Sequence, residues 1–119
     1  MATDPPILLP LHGGDIVWVD FDPVRGTEQA GARPALVLSE AAFHEVNRRA
    51  IVCPISSRRR GWTTEEPLPE GLPAQGVVLL DQIRAVDRLT RGFRPFCAVS
   101  PEYLVRIRIL VGRLIGLEY

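Results

Sequence analysis

Three short polar stretches of the chain carry side chains that handle phosphates and the edges of bases: Glu28, Gln29 and Arg33 in the first, Ser56, Ser57 and Arg58 in the second, and Asp81, Gln82 and Arg84 in the third. A guanidinium is a rigid planar fork that can pair with two oxygens of one phosphate, and a neighbouring hydroxyl can orient another. Such a set contains no strong nucleophile, so it suits a reaction in which the substrate supplies its own. RNA cleavage through the 2′-hydroxyl is one: the protein has only to align the attack, move protons and offset the charge that builds up around phosphorus. The residues alone permit this chemistry without compelling it.

What the chain lacks narrows the choice. His12 stands beside Gly13-Gly14 and His44 in an expected helix, and neither has the acid and nucleophile of a catalytic triad around it. There is no glycine-rich phosphate loop before a helix and no spaced set of histidine, cysteine or acidic ligands, so neither a metal nor another cofactor is expected. Cys53 and Cys97 stand singly in apolar segments and are read as buried, reduced thiols.

The 119 residues, 46% of them hydrophobic, suffice for one domain with a true core and are few for two. Fourteen basic and fourteen acidic residues cancel, which argues against a protein that coats DNA without regard to sequence. The charge is not even: residues 1–57 carry seven acids and four arginines, residues 58–119 seven acids and ten arginines. All the basic residues are arginine, a bias that suits phosphate but that codon usage also produces. No stretch approaches the roughly 20 apolar residues of a membrane span, and the first dozen residues do not read as a signal peptide, so a soluble, cytoplasmic protein is expected.

The elements that must position these side chains can be read from the pattern. Pro5, Pro6 and Pro10 predict an extended arm over 1–13, with the domain occupying 14–119. Asp15 to Phe21 is a strand by its β-branched and aromatic content, followed by a long polar loop from Pro23 to Ala32. Arg33 to Ser39 predicts a second strand, with Ser39 as N-cap of a short helix over Glu40 to Asn47. Ala50 to Ser56 is a third strand in which Pro54 implies an edge or a bulge. A polar loop over Ser57 to Glu66 and a proline-rich stretch over Pro67 to Pro73 lead to a strand over Gly76 to Arg84, pausing at Asp81-Gln82. Ser100, Pro101 and Glu102 open a helix to about Ile115, with Leu104, Ile107, Val111 and Leu114 as its core stripe. The sum is a mainly β barrel with a terminal helix packed on it.

The run Gly14 to Ser39, GDIVWVDFDPVRGTEQAGARPALVLS, resembles the opening of the MazF/PemK toxin family: a G-D-apolar strand, D-x-x-P, then G-x-E-Q-x-G-x-R-P and an apolar strand. Ala50 to Ser56 and Gly76 to Arg84 resemble that family's third strand and its D-Q-apolar-basic segment. The resemblance implies an SH3-like, CcdB-type small barrel that forms a homodimer. It implies metal-independent cleavage of single-stranded RNA, such as mRNA, at short sequences, leaving a 2′,3′-cyclic phosphate and a 5′-hydroxyl. It also implies silencing by a MazE-like antitoxin with an acidic, initially disordered C-terminal tail.

Arg33 matches the family's catalytic arginine, and Ser56 stands where the family has a threonine, keeping the hydroxyl and losing the methyl that restricts χ1. Glu28 and Ser57 are candidates for catalytic support, and Phe21, Gln29, Arg58, Gln82 and Arg84 for RNA contact, with Phe21 preferred to Trp62 for base stacking. Each has a plain structural competitor: an ion pair of Arg33 with Glu28, strand-end hydrogen bonding for Ser56, loop shaping for Glu28 and Gln29, and solvated charge for Arg58 to Arg60. Two other functions remain open for the same fold: a CcdB-like toxin that poisons gyrase by binding protein, and a homologue without activity kept for its interactions.

Overall fold

The computed structural model describes residues 10–21 and 31–118. Its strands are β1 (Asp15–Asp20), β2 (Ala32–Val37), β3 (Arg49–Ser56), β4 (Glu65–Pro67), β5 (Val77–Leu79), β6 (Arg84–Asp87) and β7 (Arg94–Ala98), with helices α1 (Ala41–Val46) and α2 (Pro101–Leu114). The strands form one antiparallel sheet in the order β4-β5-β3-β2-β1-β7, and β6 also pairs with β3.

Both faces of this sheet are buried, and the alternation of side chains explains how. Ile16, Leu36, Leu38, Cys53, Ile55, Val78 and Leu80 pack on one face against Leu104, Ile107 and Val111 of α2. Their chain neighbours Val17, Val19, Ala35, Val37, Ala50 and Val52 point the other way and pack with Phe21, Leu11 and Val86. A two-residue period that is apolar at both phases requires cover on both sides. The helix supplies one cover. The second cluster is built almost wholly from the sheet, which curls over itself, although no strand pairing joins β4 to β7 and the barrel expected from sequence stays open at that seam. Ile107, fully buried, contributes about 2 kcal/mol of apolar burial.

α2 begins as its sequence predicts: the Ser100 side chain accepts a hydrogen bond from the Tyr103 N–H, and proline holds the first helical position. Leu104, Ile107 and Val111 are buried, but Leu114 is half exposed, because the helix outruns the sheet beneath it. Ser39 does not cap α1. The residue before that helix is Glu40, without a side-chain cap, and the Ser39 hydroxyl is instead taken up by the ring of His44 and the N–H of Ile51.

Pro54 is neither at an edge nor exposed. It is buried in the central strand β3, paired with Ala35 on one side. On the other side β3 exchanges β6, held at Arg49 to Val52, for β5, held at Ile55 and Ser56, and the missing donor falls in the gap between them. The expected pause at Asp81-Gln82 is a 3₁₀ turn, Leu80–Gln82, which divides the apolar run into β5 and β6. β4 and β7 lie where no strand was read. Residues 1–9 of the expected arm and most of the Pro23 to Ala32 loop lie outside the described residues; Leu11, by contrast, is packed in the core. Cys53 is buried and free as expected, whereas Cys97 is only half-buried.

Candidate active site

Arg33 is the second residue of β2 and Ser56 closes β3. The β2–β3 register pairs Leu36 with Cys53 and Ala35 with Pro54, and carried on by two residues it sets Arg33 level with Ser56. Both line one open cleft of about 630 Å³, with Trp18, Pro34, Ile55, Ser57, Arg58, Arg60, Pro73, Ala74, Gln75 and Phe96. Thus Arg33, Ser56, Ser57 and Arg58, chosen from separate stretches of sequence, meet in one place.

Ser56 makes strand-end hydrogen bonds and also lines the cleft. Its hydroxyl accepts a hydrogen bond from the Arg58 N–H at 3.1 Å and lies 3.3 Å from the Arg58 carbonyl, a turn that ends the strand while leaving the oxygen on the cleft wall. Gly76 presses on the same spot. Its φ is +119°, and a Cβ there would stand 2.1 Å from the Ser56 carbonyl oxygen, so only glycine lets β5 approach the end of β3 so closely.

The far wall is held by polar contacts. The Glu65 carboxylate accepts from the N–H groups of Arg60 and Gly61, which folds the arginine loop back toward β4, and the Arg60 guanidinium lies 5.1 Å from the centre of the Trp62 ring. Tyr103 donates its hydroxyl to the Pro67 carbonyl at 2.6 Å, and Arg106 pairs with Glu66 at 2.9 Å, tying β4 to α2. The Tyr103 phenol, pushed up by burial and by the nearby Glu66, stays protonated and able to donate.

Other expected residues lie elsewhere. Phe21 is buried in the second core cluster, and the guanidinium of Arg84 stands 5.2 Å from the centre of its ring. A ring so covered packs the core rather than stacking on a base in this arrangement, because β1 turns its odd-numbered residues into the curl of the sheet. Gln82 is exposed on the 3₁₀ turn, and neither it nor Arg84 lines the cleft. Trp62 is exposed and does not cover the core. Glu28 and Gln29 lie outside the described residues.

Trp18, Phe96 and Gln75 line the cleft without having been singled out in the sequence, and Arg60, from the arginine run whose readings were phosphate contact or solvated charge, lines it too. Trp18 had a weak signal, a large aromatic on the opposite phase of β1 from the valines. Gln75 had none. The Cys53 thiol, pushed up to about 12 by burial and by Asp81, is no nucleophile. Among the described residues no three histidine, cysteine or acidic side chains are grouped to hold a metal, and no helix is long and apolar enough to cross a membrane.

Comparison with known proteins shows what the whole chain is similar to. The chain is 38% identical over 103 residues, 87% of its length and 92% of the relative's, to the endoribonuclease toxin MazF of Escherichia coli, and 45% identical over 80 residues, 62% of its length and 67% of the relative's, to the endoribonuclease toxin ChpB of the same organism. The fold superposes on MazF of Deinococcus radiodurans with a TM-score of 0.81 at 38% identity, covering 92% of this chain and 99% of the other. It superposes on a MazE-MazF structure from that organism with a TM-score of 0.83 at 37% identity and the same coverage. A profile of the PemK-like, MazF-like toxins of type II toxin–antitoxin systems matches residues 12–115, and the chain belongs to that family.

Proposed function

We propose that the protein is a cytoplasmic, sequence-selective endoribonuclease toxin that cuts single-stranded RNA without a metal. The observation that carries this reading is the convergence of Arg33 and Ser56, from two strands, on one open cleft bordered by further arginines. RNA lies in the cleft with the scissile phosphate at Arg33. The substrate's 2′-oxygen bonds to phosphorus as its proton leaves, the bond from phosphorus to the 5′-oxygen breaks, and that oxygen takes up a proton. The products are a 2′,3′-cyclic phosphate and a 5′-hydroxyl. Arg33 offsets the charge gathered on the phosphoryl oxygens, and Ser56 orients one of them. Arg58 contacts the flanking backbone, Ser57 stands in reserve as a second hydroxyl, and Glu28 and Gln29 act from the neighbouring loop on Arg33 or RNA. Gln82 and Arg84 reach RNA only from outside this cleft.

Two copies assemble as a homodimer whose paired surfaces extend the RNA track. An antitoxin with an acidic tail that folds on binding occupies the track in place of RNA. The relatives solved as MazE-MazF complexes support this partner.

The test is incubation of the purified protein with a long single-stranded RNA in excess EDTA, beside Arg33→Ala and Ser56→Ala, with analysis of fragment ends. Cutting at a few repeated short sites with 5′-hydroxyl ends is expected, reduced about 100-fold or more in Arg33→Ala and about tenfold in Ser56→Ala. A folded protein that cuts none of a diverse set of RNAs would overturn the reading and favour a toxin acting on a protein target.

A further inference from the structure

The cleft beside Arg33 and Ser56 has an aromatic wall that phosphate chemistry does not explain. Trp18 and Phe96, both half-buried, stack with ring centroids 4.9 Å apart and planes inclined by 25°. Phe96 reaches that position through an irregularity in the sheet. β7 pairs Cys97 with Ile16 and Pro95 with Val17, so two consecutive residues of β1 face residues of β7 that are two apart, and Phe96 is the extra residue between them. A bulge of this kind re-aims one side chain, and here it brings the Phe96 ring onto that of Trp18 at the edge of an open polar cleft.

Gln75, exposed, lines the same cleft and immediately precedes Gly76, the glycine seated against the Ser56 carbonyl. The glutamine is thereby held one residue from the contact that fixes the end of β3. Its amide offers a donor and an acceptor side by side, the pattern that pairs with the N6 and N7 edge of adenine.

We propose that Trp18, Phe96 and Gln75 form a nucleobase subsite next to the Arg33–Ser56 phosphate site, in which one base of single-stranded RNA stacks on the aromatic pair while Gln75 reads its edge. The proposal rests on the ribonuclease reading above and adds the element that selects sequence. Stacking on an aromatic ring is tolerant of base identity, so the aromatic pair supplies affinity and Gln75 supplies preference at a single position.

Two measurements on the full chain test it. In the first, a randomised single-stranded RNA pool is cut by the wild type, Gln75→Ala and Gln75→Glu, and the fragment ends are sequenced. Gln75→Ala flattens the preference at one position near the cut and leaves the others intact. Gln75→Glu, an acceptor without a donor, shifts that position toward a base with an exposed amino group such as cytosine. In the second, Trp62→Phe leaves Trp18 as the one tryptophan, since the sequence holds two, and its fluorescence is followed as a 2′-O-methyl RNA that cannot be cut is added. Saturable quenching is expected, weaker in a Gln75→Ala background. A wild type that cuts selectively while both Gln75 variants keep its motif at every position overturns the edge-reading role, and RNA that binds without changing Trp18 emission overturns the stacking role. Quenching by a protein that cuts no RNA would remove the ribonuclease reading and leave the base subsite standing.

Discussion

Arg33 and Arg88 are the same side chain put to opposite uses. Arg88, just beyond β6, is 7% exposed, and its guanidinium donates to the carbonyls of His44, Asn47 and Arg48 at 2.7, 2.8 and 3.2 Å. Those carbonyls belong to the last turn of α1 and the short link from it to β3, where backbone acceptors run out of helical partners. Burial lowers its pKa and the neighbouring Asp87 opposes that, but an arginine in this setting keeps its charge. Arg33 is exposed at the mouth of a cleft, and among the described residues none accepts a hydrogen bond from it. An arginine saturated by carbonyls is architecture; one on the wall of an open cleft is placed to meet what enters it.

The sharpest break of this contrast is a pair of substitutions. Arg33→Ala should lower RNA cleavage about 100-fold or more while shifting unfolding free energy by under about 0.5 kcal/mol. Arg88→Met should do the reverse, costing about 2–4 kcal/mol in denaturant unfolding because several buried carbonyls lose their donor, with cleavage per folded molecule within a fewfold of wild type. Similar stability losses in both variants would erase the distinction.

Gly76→Ala should affect both quantities together. The left-handed φ and the Ser56 carbonyl leave no place for a methyl, so about 2 kcal/mol of strain is expected, and the shift needed to relieve it displaces Ser56. Urea melts and cleavage rates check this, and an alanine variant with wild-type melting and wild-type cutting would refute the close approach.

The smallest effect concerns His44, which shares the Arg88 corner. Its Nδ1 lies 2.8 Å from the Leu11 carbonyl and must donate to it, so in the neutral ring Nε2 accepts from the Ser39 hydroxyl at 2.6 Å. Burial lowers its pKa below the ordinary 6.5, the Leu11 hydrogen bond opposes that, and the Arg88 charge lowers it further. The unfolded chain therefore binds this proton more readily than the folded one, and stability present above pH 6.5 is lost as pH falls through and below that value. The thermal midpoint should drop between pH 7.5 and 5.5 in the wild type and drop less in His44→Gln. Equal slopes would assign the pH dependence to other groups.

The sequence made the arginine and hydroxyl wall of the cleft legible and left its aromatic wall hidden, for a physical reason. Arg33 and Ser56 sit at strand ends beside polar loops, where a charged or hydroxyl side chain interrupts an apolar pattern visibly. Trp18 lies inside a strand that is apolar at both phases, so nothing local distinguishes a cleft wall from core. Phe96 depends on a bulge, a property of how two strands meet rather than of either alone. Phe21 shows the opposite case: an aromatic at a strand end looks exposed in the sequence, and only the curl of the sheet turns it inward. β4 and β7 escaped notice because Glu65–Pro67 is three polar or proline residues long and Arg94–Ala98 starts with arginine and proline, patterns that become strands only through their neighbours.

β3 is paired along both edges, to β2 on one side and to β6 and then β5 on the other. Opening it requires breaking three ladders at once, so its amides should exchange hydrogen only when the whole domain unfolds. Ser56 is the last residue of that strand, whereas Arg58, Arg60 and Gln75 across the cleft hang from loops around the three-residue β4. One side of the cleft is thus fixed to the slowest-opening part of the chain, while the other is held through the short β4 and its contacts with α2, so hydrogen exchange should separate the two sides of a single cleft.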